Sequence, residues 1–135
     1  MASSMFIEYK QALIEGGANI ALNATMDITL IDHADDTPNP AAAGDDFYDD
    51  ITAPARVATV ALTGETVTNN IFDADDGVFV AVTGDVSESV ILWKNTGAEA
   101  TSRLVAFFDD FTGLPVTPGG GNITVAWHAS GILAL

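Results

Sequence analysis

From Arg56 onward the chain is a succession of short apolar and β-branched runs: "RVATVALT", "TVTNNIFDA", "GVFVAV", "SVILWK", "RLVAFFD", "NITVAW" and "ILAL". Thr-Gly pairs stand at 63–64, 83–84, 96–97 and 112–113, each between two of these runs. Their spacing is too uneven for a repeat, so they mark turns. Short strands with glycine-bearing turns at this density predict an all-β chain: a single jelly-roll-like β-sandwich of roughly eight strands. Upstream, "ATMDITLID" adds a further strand, with Met26, Ile28 and Leu30 alternating against Asp27, Thr29 and Ile31.

The stretch "TGLPVTPGGGNITV" tests this reading, because a glycine-rich loop can also hold a phosphate. A phosphate cradle needs a helix N-terminus behind the glycines and usually a nearby lysine. Here Gly119, Gly120 and Gly121 lead into a run in which Ile123, Val125 and Trp127 alternate with Asn122, Thr124 and Ala126, and no lysine follows Lys94. The glycines are a corner between strands.

Two segments depart from the strand pattern. "SSMFIEYKQALIEGG" reads as the only helix, with Ser3 or Ser4 to cap it and Gly16 or Gly17 to end it. Phe6, Tyr9 and Leu13 fall on one face, and Ile7 and Ile14 on a neighbouring one. The expected organisation is therefore a helical segment over 1–18 and a β domain over 19–135. Within that domain, 33–55 carries six aspartates and three of the five prolines, an acidic surface excursion anchored by Phe47, Tyr48 and Ile51.

Charge and composition exclude several roles. Nineteen acidic residues face only Lys10, Arg56, Lys94 and Arg103, for a formal charge of −15. Such a surface repels nucleic acid and anionic membranes, and it favours solubility. There is no cysteine, hence no disulfide, thiolate nucleophile or Cys-ligated zinc. No run approaches the roughly 18 consecutive apolar residues of a membrane span. "MASSMFIEYK" lacks the basic and apolar regions of a signal peptide, so synthesis in the cytoplasm is expected.

Candidate chemistry is sparse. Asp73, Asp75 and Asp76 before Gly77 suggest a calcium loop, but the glycine is one position early and Gly84 stands where the bidentate glutamate belongs. Asp45, Asp46, Asp49 and Asp50 have i, i+4 spacing, which reads better as a solvated face than as a metal site. His33 and His128 belong to no catalytic motif, although Ser130 lies two residues from His128. Trp93 and Trp127 suit packing or stacking on a sugar. The expectation is no enzyme, no cofactor and no metal.

Taken in order, "YKQALIEGGANI", "ARVATVAL", "TVTNNIFDADDGVFVAVTGDVSESVILWKNTG", "TSRLVAFFDDFTGLPVTPGGGNITVAW" and "GILAL" resemble a family of small structural proteins of tailed-bacteriophage virions. The likeness covers most of the chain. It departs at Trp93-Lys94, where a tyrosine-led pair is usual, and at Asp109-Asp110, where one apolar residue is usual. Some proteins of this type are capsid cement (decoration) proteins. The resemblance implies a homotrimer on the outer head surface, with the major capsid protein as partner and the host cytoplasm as its place before assembly.

A β module of a tail fibre or spike that binds a receptor or glycan is the alternative, and a glycan hydrolase a third. A shell protein must grip through something added to its β body, and two added segments are available. The acidic excursion has no cation to offset its charge, and burying unpaired charge is costly. Phe6, Tyr9, Lys10 and Leu13 are therefore the candidate shell or subunit interface, an apolar stripe with one cation.

Overall fold

The computed structural model describes residues 4–135, and in it the strand pattern is realised as an all-β fold with one short helix. The elements are β1 (Ser4–Met5), α1 (Ile7–Glu15), β2 (Met26–Ile31), β3 (Arg56–Ala61), β4 (Thr66–Thr68), β5 (Ile71–Asp73), β6 (Gly77–Phe79), β7 (Ser89–Lys94), β8 (Leu104–Phe108), β9 (Ile123–Val125) and β10 (Leu133–Ala134). They form three antiparallel sheets: β1-β8-β7-β2-β3, β10-β5-β4 and β6-β9.

The ten strands exceed the roughly eight expected from the pattern, for two local reasons. The run "TVTNNIFDA" is a hairpin: Asn69 and Asn70 both have positive φ, 52° and 64°, between β4 and β5. Two such residues make the tight turn whose twist matches that of paired strands, and asparagine tolerates this region well. At the N-terminus, Ser4 and Met5 pair with Phe107 and Ala106 as an edge strand, so Ser4 is not a helix cap. The helix starts later than expected, with Phe6 as its cap residue and no side-chain cap bond. The Phe6 N–H instead donates to Val105 O at 3.0 Å. Ser3 lies outside the described residues. Gly16, left-handed at φ 70°, ends α1 as expected.

All four Thr-Gly pairs are turns, and their glycines have φ of 67°, 118°, 88° and 100°. The triple glycine is a corner: Gly120 N–H donates to Val82 O, and Val82 N–H to Gly121 O.

The five-stranded sheet is buried on both faces, which explains why all six residues of β2 are buried. Register places Thr29, Ile91 and Phe107 in one row and Leu30, Val90 and Phe108 in the next, on the opposite face. The first face is covered by the excursion. Tyr48 stacks on Trp93 with centroids 3.8 Å apart, and Ile51 is buried beside it. The excursion thus docks through Tyr48 and Ile51, with a single helical turn at Tyr48–Asp50. The second face meets β6 and β9. A Cβ on Gly77 would lie 2.5 Å from Ile28 Cδ1, so glycine permits this close approach. One core cluster contains Phe6 and Tyr9 together with residues of both faces.

Inside the first face, Trp93 Nε1 donates to Thr29 Oγ1 at 2.9 Å, and that oxygen also lies 2.8 Å from Thr59 Oγ1. Thr29→Val keeps the shape but orphans the indole N–H. Denaturant unfolding should show a loss of about 1–3 kcal/mol, whereas an unchanged midpoint would mean that this buried network contributes nothing.

Candidate functional site

The N-terminal stripe turns inward. Phe6 and Tyr9 are 0% and 1% exposed, and the Tyr9 hydroxyl donates to Ile20 O at 2.7 Å. Burial pushes the Tyr9 phenol up to about 12, against the opposing charge of Arg103. Leu13 is half-buried against the same core, and Lys10 is exposed. Phe6 and Tyr9 are therefore not surface anchors. The helix is too short to stand alone, and its aromatic side docks on the chain's own core.

The side of α1 left outside carries Ile7, Lys10 and Ile14, at spacings of three and four. Ile7 is 38% exposed and Ile14 is 88% exposed. A shallow groove of about 330 Å³ runs beside this face, lined by Met5, Ile7, Lys10 and Pro40 among others.

The aspartates singled out from the sequence do not converge on a metal site. Asp75 accepts from Thr63 Oγ1, Asp76 from the Trp127 N–H, and Asp73 from the Ala74 N–H. In the excursion Asp45 accepts from the Asn39 N–H, and Asp50 from the N–H groups of Asp46 and Phe47. Among the described residues, the acidic oxygens that come together are those of Asp32, Asp35 and Asp85, all within 4.8 Å of one another. Asp32 Oδ1 also accepts the Ala34 N–H. Asp32 and Asp35 are three residues apart, but Asp85 comes from a segment fifty residues further on, and local spacing gives no signal that it joins them.

Protonation equilibria follow from these contacts. Burial raises Asp27, against a hydrogen bond from Asn95, and raises Asp45, against the Asn39 N–H. Asp46 is also raised, by burial first and then by its hydrogen bond and repulsion with Asp50. Burial works to raise Asp50 as well, but the Phe47 and Asp46 N–H groups outweigh it and hold this carboxylate low.

The histidines have local roles. His33 Nε2 lies 2.7 Å from Ser89 Oγ, and its ring stacks on Phe107 at 6.0 Å. His128 Nδ1 accepts the backbone N–H of Ser130, so the Ser130 hydroxyl is not aligned by this pair as a nucleophile would be.

The tryptophans divide. Trp93 is core. Trp127 is half-buried and stands in the wall of a cleft of about 510 Å³ between the 110–116 segment and β9 with its continuation to His128. Phe108 and Phe111 meet its ring edge to face, at 5.6 and 5.4 Å. Leu30 and Val90 of the large sheet form the floor, and Asp110, Thr112, Asn122, Thr124 and His128 bring polar groups. Trp127 and Trp93 look alike in the sequence, because the cleft depends on how the 110–116 turn folds back.

No protein-family model matches the chain, and no curated protein matches it. No helix among the described residues is long and apolar enough to cross a membrane.

Phe6→Ala should destabilise the fold by about 3–5 kcal/mol in chemical unfolding, as truncation of a fully buried aromatic does; a surface anchor would leave the midpoint unchanged. Asp27, Asp45 and Asp46 are easier to protonate when folded, so folding is favoured as pH falls toward the carboxylate range. Asp50 acts oppositely, and its contribution is lost only as pH falls below its ordinary range. Melting temperature should therefore hold or rise between pH 7 and about 5, where the net negative charge also declines. A steady fall across that window would contradict the assignment.

Proposed function

We propose that this chain is a non-enzymatic structural protein of a tailed-phage virion: a capsid cement protein that binds the outer head surface as a homotrimer and braces neighbouring major capsid protein subunits. The observation that carries this reading is the ordered set of segments from "YKQALIEGGANI" to "GILAL". Those segments supply β3 to β10, together with α1 from Tyr9 onward. The chemistry of the surface fits the same role. A charge of −15 keeps free subunits soluble and away from DNA.

A cement protein acts through contact area repeated over many copies, and specific interfaces bury about 1,200–2,000 Å² each. The outward face of α1 supports such a contact. It offers apolar Ile7 and Ile14 with Lys10 between them, the one part of the helix where apolar area and a cation lie outside the core.

The purified chain should co-sediment with mature heads of its phage, at a copy number in the hundreds per particle rather than the few of a tail fibre or spike. Light scattering should give a trimer. The exposed-face variant Lys10→Glu with Ile14→Glu should fold normally and lose most head occupancy. A copy number near that of a tail component, or no binding to heads, would defeat the cement reading. Unchanged occupancy of the variant would instead place the grip elsewhere on the chain.

A further inference from the structure

We propose that the cleft beside Trp127 binds a neutral saccharide. This goes beyond the shell role and does not rest on it. The two tryptophans are held in opposite ways. Trp93 has its N–H on Thr29 and its face on Tyr48, so the ring is fully engaged within the protein. Trp127 has its backbone fixed, its N–H donating to Asp76 Oδ1 at 2.9 Å, but its buried Nε1 makes no hydrogen bond. Buried indole donors are rarely left unpaired in native proteins, so this ring, unlike that of Trp93, is not pinned by a hydrogen bond and is held in the cleft wall by packing alone. Both of its aromatic neighbours meet it edge to face rather than stacking in parallel.

The walls select the ligand class. None of Lys10, Arg56, Lys94 or Arg103 lines the cleft and Asp110 does, so an anionic ligand such as a nucleotide or a sugar phosphate is disfavoured. A wholly apolar ligand would cover the side chains of Thr112, Asn122, Thr124 and His128 without returning hydrogen bonds. A neutral sugar ring answers both conditions. Its C–H face lies on an aromatic wall, and its hydroxyls both donate and accept. His128 Nδ1 accepts from the Ser130 N–H, so the neutral ring carries its proton on Nε2 and offers a donor. The cleft, about 510 Å³, falls within the size range of small-molecule sites.

The test is a titration of the full ¹⁵N-labelled chain with glucose, galactose, mannose, N-acetylglucosamine and N-acetylneuraminic acid. At least one neutral sugar should move the Trp127 indole resonance and the amides of Thr112 and Thr124, saturably at millimolar concentration, with the Trp93 indole unmoved. Trp127→Ala should weaken that binding about tenfold or more, which is about 1.4 kcal/mol, and Trp127→Phe should restore most of it. Thr124→Arg, at an exposed position, should block the cleft while leaving the fold intact, so the result stands even if Trp127→Ala folds poorly. Absence of a saturable shift with every neutral sugar would overturn the proposal. So would shifts confined to another surface, full binding by Thr124→Arg, or a preference for the anionic sugar.

Discussion

A single column of stacked groups fastens the irregular part of this protein to its regular part. The Arg56 guanidinium lies 4.1 Å over the Tyr48 ring, and Tyr48 lies parallel on Trp93, tilted by only 9°. Trp93 is in turn bonded to Thr29 on the central strand. Arg56 also donates to the carbonyls of Tyr48 and Ile51 and pairs with Glu99 at 2.8 Å. The pair with half-exposed Glu99 adds little by itself, whereas the cation over a partly desolvated ring is worth about 0.5–2 kcal/mol. Through this column the first residue of β3, the excursion, β7 and β2 share one position. Without it, one face of the large sheet would be left to water.

The acidity of the chain is more than a solubility device. An irregular segment leaves backbone N–H groups without ladder partners, and carboxylates are strong acceptors for them. Asp36 accepts from Thr52, Glu88 from His33 and Glu8 from Ala43, in addition to the Asp45 and Asp50 contacts already described. The excursion therefore holds its shape partly with its own aspartates, which also give it its charge, and partly with Glu8 and Glu88 from outside it. The pKa values of Asp46 and Asp50 move in opposite directions, because burial raises the first while the N–H groups of Phe47 and Asp46 outweigh burial and lower the second.

What was legible in the sequence was whatever local chemistry decides. Alternation marked β2, the Thr-Gly pairs marked turns, and Phe47, Tyr48 and Ile51 marked the anchor of the excursion, of which Tyr48 and Ile51 are buried and Phe47 is half-buried. Asn69-Asn70 was equally legible in principle, since two adjacent asparagines inside an apolar run are a hairpin signal, yet the run reads first as one strand. The faces of α1 were not legible. Periodicity gives two apolar stripes, Phe6-Tyr9-Leu13 and Ile7-Ile14, and only the position of β8 and the neighbouring loops decides which is buried. The Trp127 cleft and the Asp32, Asp35 and Asp85 grouping depend on contacts between segments far apart in the chain. No local pattern encodes them.

The scarcity of cations has a consequence for how the folded chain meets a protease. Trypsin can cut only after Lys10, Arg56, Lys94 and Arg103. Arg56 is bound in its column, Lys94 donates to Ala24 O at the end of β7, and Arg103 donates to Ala18 O and lies over the Phe47 ring. A protease needs an extended, released segment, so cutting at these three sites requires the large sheet or its covering loops to open first. Lys10 sits on the exposed side of α1. Tryptic fragments would thus separate fraying of the N-terminal helix, seen as a cut after Lys10 alone, from opening of the body, seen as cuts at the other three positions.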